Sequence, residues 1–163
     1  MKVYLDNNIV SAIAKNNEPA ESAALDRLLE ANDEGKVYLV TSEVTLREIK
    51  TYHGAMRPQV ERTFRLLEKV PIVRWDELVG MHSYGDARTW VTTPLIENDP
   101  DYSALLALGL ETVDAQHVFV AAKQACDAFL TCDGGILHRA RDIQKQFGLI
   151  AQRPSVFVAS QAW

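Results

Sequence analysis

The sequence is poor in cysteine and has no long apolar run, and each shortage removes a class of protein. Its two cysteines, Cys126 and Cys132, form neither a CxxC pair nor part of a Cys/His array, so neither a disulfide framework nor a structural zinc site organises the chain. Reduced, buried thiols are the expectation. The first residues, MKVYLD, lack the pattern of a secretory leader because the apolar run stops at Asp6, and no later stretch is long enough to span a bilayer. A soluble cytoplasmic protein is expected. Positive charge is also short: 17 basic residues stand against 22 acidic ones, a formal net charge of −5, so no long-range field draws polyanions to the molecule as a whole. A role on nucleic acid would then rest on a local basic surface or on bound cations. A P-loop, a GxGxxG turn, an HExxH helix and a GxSxG elbow are all missing, which removes support for nucleotide binding by those routes, zinc proteolysis and esterase chemistry.

What is present fits one domain. A chain of 163 residues, 47% of them hydrophobic, can bury a proper core, and residues 1–163 show no repeat, low-complexity tract or linker. Apolar periodicity switches repeatedly between the strand and helix patterns, which predicts an α/β fold. Strands are expected at 2–6, 37–41, 71–75, 128–132 and 148–152. Helices are expected at about 8–15, from Pro19 to about 32, from a Ser42 cap to about 52, at 58–69, from Asp114, and at about 135–147, with a terminal turn or helix from Pro154. Residues 76–112 are less regular, with helices expected at 76–84 and 102–108 around the loop-like TTPLIENDPD.

Four acids stand out by position. In an open parallel sheet the ligand crevice lies beyond the carboxyl ends of the strands, and Asp6 and Asp133 both end apolar strands. Glu48 lies four residues after Val44, on the face of its helix expected to pack inward, and Asp114 opens an amphipathic helix along the edge of its buried stripe. Each also has an ordinary explanation. Asp6 and Asp114 suit a helix cap or first turn, Asp133–Gly134–Gly135 suits a turn, and a lone helical Glu is usually solvated. If the four converge, their mutual repulsion calls for a cation. An oxygen-rich site selects hard ions such as Mg²⁺ or Mn²⁺, and such ions serve phosphodiester hydrolysis. Set apart these four, and the remaining 18 acidic residues nearly balance the 17 basic ones.

The pattern resembles the PIN-domain family over nearly the whole chain. VYLDNNIV is similar to the family's first strand, an apolar run, then Asp6, then the small polar Asn8. LVTSEVTLREI resembles the second element, in which a Ser follows the strand and the acid comes six residues later, so that Glu48 rather than Glu43 is the match. VDAQHVFVAAKQACDAFLTCDGGIL is similar to the most specific element: Asp114 opening a helix, an apolar strand, then Thr131 and Asp133 as Thr-x-Asp. The tail GLIAQRPSVFVA has the family's strand-then-Pro ending.

The resemblance implies a Rossmann-like three-layer α/β/α sandwich with a mainly parallel central sheet. It also implies Mg²⁺- or Mn²⁺-dependent endoribonuclease activity leaving a 3′ hydroxyl and a 5′ phosphate. Asp6, Glu48, Asp114 and Asp133 would be metal ligands, with Asn8 and Thr131 in supporting hydrogen bonds. Compact members resemble VapC toxins, so a cognate antitoxin and a homodimer are implied partners beside the RNA substrate; the longer 76–112 region departs from them. An RNA-processing nuclease outside a toxin pair and a catalytically inactive PIN-like binding module are the alternatives. A haloacid-dehalogenase-like phosphatase needs a second Asp where this chain has Asn8.

Other residues are weaker candidates. Arg47, Lys50, Arg57, Arg139, Arg141 and Lys145 lie next to or after two of the acids, and Arg139 and Arg141 are the RNA-backbone candidates among them, against the ordinary reading of a solvated face. Trp75, Trp90 and Trp163 suit base stacking or, more commonly, packing. His53, His82, His117 and His138 show no ligand spacing; His117, three residues after Asp114, reads more readily as a structural histidine than as part of a site.

Overall fold

Alternation of side chains along the strands divides the interior in two. The computed structural model describes residues 1–14, 18–74, 96 and 98–163. Its five strands are β1 (Lys2–Leu5), β2 (Tyr38–Ser42), β3 (Ile72–Val73), β4 (Ala128–Leu130) and β5 (Ile150–Gln152), all parallel and ordered β3-β2-β1-β4-β5. Tyr4, Val40, Phe129 and Ala151 point to one face of the sheet, and Val3, Leu5, Leu39, Ala128 and Leu130 to the other. The period of two in these buried strands thus builds two cores at once.

Helices cover both faces. The described ones are α1 (Asn7–Ala14), α2 (Pro19–Asp33), α3 (Glu43–Thr51), α4 (Arg57–Arg65), α5 (Pro100–Ala107), α6 (Thr112–Lys123), α7 (Gly134–His138), α8 (Ala140–Phe147) and α9 (Pro154–Ala159). Tyr102 and Leu105 of α5, Val118 and Phe119 of α6, Ile136 of α7 and Ile143 of α8 pack on the first face. Ile9 and Val10 of α1, Leu25 and Leu28 of α2, Val60 of α4 and Phe157 of α9 pack on the second. The result is a three-layer α/β/α fold. Truncating a wholly buried side chain such as Leu28 to Ala costs about 2–5 kcal/mol. Among the described residues no helix is long and apolar enough to cross a membrane.

The sheet order fixes where a ligand can sit. From β1 the chain crosses to β2 on one side, and β4 later pairs on the other, so the strand order reverses at β1. In open α/β sheets such a switch point opens a crevice beyond the carboxyl ends of the strands. Asp6 immediately follows β1 there.

Several elements differ from their sequence expectation. The helix expected at 58–69 stops at Arg65, where tightened bonds from Leu66, Leu67 and Glu68 N–H to the carbonyls three residues back turn the chain and bury Leu67 and Val70 beside the sheet. The helix expected at 135–147 is two, because the backbone leaves helical geometry at Arg139 (φ −97°, ψ 3°), whose Nε donates to Leu108 O at 2.6 Å. The strand expected at 71–75 is two residues long. Helix α6 starts at Thr112, two residues before Asp114, with Glu111 extended at its N-cap. The expected helix at 76–84 lies outside the described residues.

Candidate active site

Asp6 is buried, 1% exposed, at the switch point, and its backbone N–H still donates to Leu130 O at 3.0 Å, extending the β1–β4 pairing by one residue. Its two carboxylate oxygens have different surroundings. Oδ2 accepts from Thr131 Oγ1 at 2.5 Å and from Asn8 Nδ2 at 3.3 Å. Oδ1 is buried and accepts no hydrogen bond among the described residues; it stands 3.6 Å from His117 Nε2. Burial pushes the Asp6 carboxyl pKa up, His117 and Thr131 pull it back, and the net direction is upward.

The Thr-x-Asp segment after β4 completes this side. Thr131 is buried and its hydroxyl also accepts the N–H of Asp133 at 2.9 Å. Asp133 Oδ1 accepts from the N–H groups of Gly135 (2.7 Å) and Ile136 (3.2 Å), capping α7, while Oδ2 faces Asn8 Nδ2 at 3.5 Å. Where the sequence suggests a turn, Asp133 is a helix cap through one oxygen, and the other faces Asn8, which also reaches Asp6. A Cβ at Gly135 would stand 3.0 Å from Asp133 Oδ1, so a glycine there keeps the cap uncrowded.

Helices α3 and α6 supply the rest. Ser42 caps α3, its Oγ accepting from Val44 N at 3.2 Å, and the helix buries Val44, Thr45 and Ile49. Glu48 lies three and four residues beyond Thr45 and Val44 and so is carried inward on their face. Its Oε2 is 2.7 Å from His117 Nε2. Glu43, the neighbouring acid, instead meets Arg74 at 3.4 Å. Asp114, in the first turn of α6, is half-buried; burial, then the charges of Asp133 and Asp6, push its carboxyl pKa up to about 6. Four acids from four separate segments are thus electrostatically linked around Asp6.

His117, which sequence reasoning reads as structural, is central here. It is 1% exposed, and its Nδ1 is 2.7 Å from the Tyr4 hydroxyl, which is itself 2.6 Å from Ser42 Oγ. Burial lowers the imidazole pKa, but Asp6 and Glu48 outweigh it and hold the group above its ordinary value. The signal in the sequence is its place three residues after Asp114 on one helix face; a single sequence does not show that Tyr4 and Glu48 meet its two nitrogens.

The basic candidates part ways. Arg139 is tied to Leu108 O, Arg57 pairs with Glu61 at 2.8 Å, and Arg141 is exposed. Trp163 packs partly buried against the second core, and Trp75, Trp90 and His82 lie outside the described residues. Both cysteines are free, Cys126 buried and Cys132 half-buried, with burial pushing their thiols up to about 11 and about 12. Beside Glu48 a cavity of about 280 Å³ is lined by Asn7, Ser11, Thr51 and Tyr52 among others.

This donor set fits a divalent cation. A buried carboxylate oxygen without a partner is costly, and here it faces Glu48 and His117, with one ligand atom from each of the three residues within 4.8 Å of the others.

Fold and site together define an α/β protein with an acidic centre at the switch point of an all-parallel sheet. No protein-family model matches the sequence, and no curated protein matches it. Among solved structures, the fold is similar to a chain of VapBC2 from Rickettsia felis, solved bound to a DNA fragment from its promoter. The TM-score is 0.58 over 94% of this chain and 98% of that one, at 13% identity, which shows a shared fold.

Proposed function

We propose that this chain is a divalent-metal-dependent endoribonuclease and the toxin of a VapBC-like toxin–antitoxin pair. The observation that carries the catalytic half is the buried Oδ1 of Asp6, which accepts no hydrogen bond among the described residues and stands amid Glu48, Asp114 and Asp133, an arrangement whose repulsion a cation relieves. The toxin half rests on the fold shared with a chain of VapBC2 and on the PIN-like motifs of the sequence.

Asp6, Glu48, Asp114 and Asp133 would hold the ion, Mg²⁺ or Mn²⁺. When bound it supplies positive charge against the phosphate and lowers the pKa of the attacking water. The chain's own residues do the positioning. Thr131 fixes Asp6 Oδ2 and the backbone of Asp133, and Asn8 bridges the two carboxylates, so the ligands are set before substrate arrives. An acidic protein gains from the ion a means of holding the RNA phosphate, with Arg141 as an outlying contact.

The test incubates purified protein with mixed RNA, with and without Mg²⁺ or Mn²⁺, beside Asp6→Asn and Asp133→Asn. Cleavage that needs metal and is lost in both variants is expected. Metal-independent cleavage, or equal cleavage by the variants, overturns the reading. For the toxin role, co-expression with a small DNA-binding protein encoded directly upstream should relieve growth arrest.

A further inference from the structure

We propose that His117 is a nitrogen ligand of the metal, through Nε2 and beside Asp6 Oδ1 and Glu48 Oε2, making a mixed carboxylate–imidazole centre that favours a divalent transition ion of the Mn²⁺ type over Mg²⁺. The inference deepens the metal dependence proposed above and gives it a residue that an all-carboxylate reading lacks.

Geometry comes first. Nε2 is 2.7 Å from Glu48 Oε2 and 3.6 Å from Asp6 Oδ1. Ligands bound about 2.0–2.2 Å from one ion stand roughly 3 Å apart when adjacent and roughly 4 Å when opposite. The three atoms all lie within 4.8 Å of one another, so small side-chain shifts bring them onto one ion. Asp6 Oδ1, wholly buried and unpartnered, is aimed into the same space.

The far side of the imidazole is held as well. A ligating histidine nearly always donates its other N–H to an oxygen, which sets the tautomer and turns the ring. Here the Tyr4 hydroxyl stands 2.7 Å from Nδ1, where it can accept an Nδ1–H while donating its own O–H to Ser42 Oγ at 2.6 Å. Nε2 is then left with its lone pair toward two carboxylates, an arrangement that either a proton or a cation must occupy. Tyr4 is fixed in turn by stacking on Phe129, ring centroids 5.2 Å apart and planes 7° from parallel.

The choice of ion follows from ligand chemistry. Mn²⁺ shares the carboxylate preference of Mg²⁺ yet, as a transition ion, takes an imidazole nitrogen more readily, whereas Mg²⁺ keeps to oxygen ligands and sheds water reluctantly. One nitrogen in the set therefore separates Mn²⁺ from Mg²⁺ in affinity.

The experiment measures Mn²⁺ and Mg²⁺ binding to the full chain by calorimetry, and pulsed EPR of bound Mn²⁺, for wild type, His117→Gln and Tyr4→Phe. Wild type should show ¹⁴N coupling to Mn²⁺ that shifts to ¹⁵N in histidine-labelled protein. His117→Gln should lose that coupling and reduce the Mn²⁺:Mg²⁺ affinity ratio by about tenfold. Tyr4→Phe, which keeps the ring stack, should retain the coupling and weaken Mn²⁺ binding by about tenfold, so the proposal is testable even if His117→Gln does not fold. Bound Mn²⁺ without nitrogen coupling, an unchanged ratio in a folded His117→Gln, or no ion binding at all overturns the proposal. RNA cleavage supported by Mn²⁺ bound without nitrogen leaves the ribonuclease reading intact while this one fails; nitrogen-coupled Mn²⁺ without RNA cleavage does the reverse.

Discussion

The Thr131 hydroxyl stands 2.5 Å from Asp6 Oδ2 and also accepts the backbone N–H of Asp133 at 2.9 Å, so one small side chain ties together the two acids that end adjacent strands. Thr131→Val keeps the shape and deletes both bonds. It should cost about 1–3 kcal/mol of stability, because a buried carboxylate oxygen loses the nearer of its two donors, and should lower metal-dependent cleavage by about tenfold or more. Urea unfolding and cleavage rates across a Mn²⁺ titration measure the two effects.

At Asp114 charge works against stability. Its neighbours Asp133 and Asp6 make its charge unfavourable without a cation. Asp114→Asn should therefore raise the melting temperature in EDTA, by about 2–4 °C once solvent screening is allowed for, while abolishing cleavage. A lower melting temperature for the variant would contradict this.

The same crowding sets a pH dependence. The folded-state pKa of Asp114, about 6, lies above the ordinary carboxylate value of 3.8, so its contribution to stability is full below that value and is lost as pH rises through about 6. Asp6 and His117 are shifted in the same direction. Metal-free protein should melt lower at about pH 7.5 than at about pH 5, and saturating Mn²⁺ should restore the loss at the higher pH. Thermal melts with EDTA and with Mn²⁺ across this range give the slope and its sign.

Glu21 offers a control outside the acidic centre. It is 3% exposed, and its carboxylate accepts from Ser155 N at 2.8 Å and Ser155 Oγ at 2.7 Å, holding the first turn of α9 against α2. Glu21→Ala strands those donors and should cost about 2–4 kcal/mol. Cleavage per folded molecule should be unchanged, as measured by activity against the folded fraction in mild urea.

The two arginines should separate by assay. Arg139→Ala removes the bond to Leu108 O and should lower stability by about 1–2 kcal/mol. Arg141→Ala, at an exposed position, should leave stability alone and reduce the salt slope of RNA binding by about one.

Local chemistry wrote much of the fold into the sequence. The apolar runs that form β1, β2 and β4, the Ser42 cap and the prolines opening α2 and α9 act over a few residues, and a period of two or 3.6 is legible at that range. Asp6 and Asp133 are legible for the same reason, as polar residues that end apolar strands. Other features need distant partners. Arg139 breaks a continuous helical pattern because its side chain bonds to Leu108, 31 positions away. Glu48 parts from Glu43 because one meets His117 and the other Arg74. His117 reads from the sequence as a structural histidine, and only the tertiary structure brings Tyr4 to one of its nitrogens and Glu48, 69 positions away, to the other. The sequence by itself determined which residues could carry charge at the ends of strands. Only packing across the sheet decided which atoms face one another, because a charge becomes a ligand through the distance and the dielectric around it, and neither is a local property.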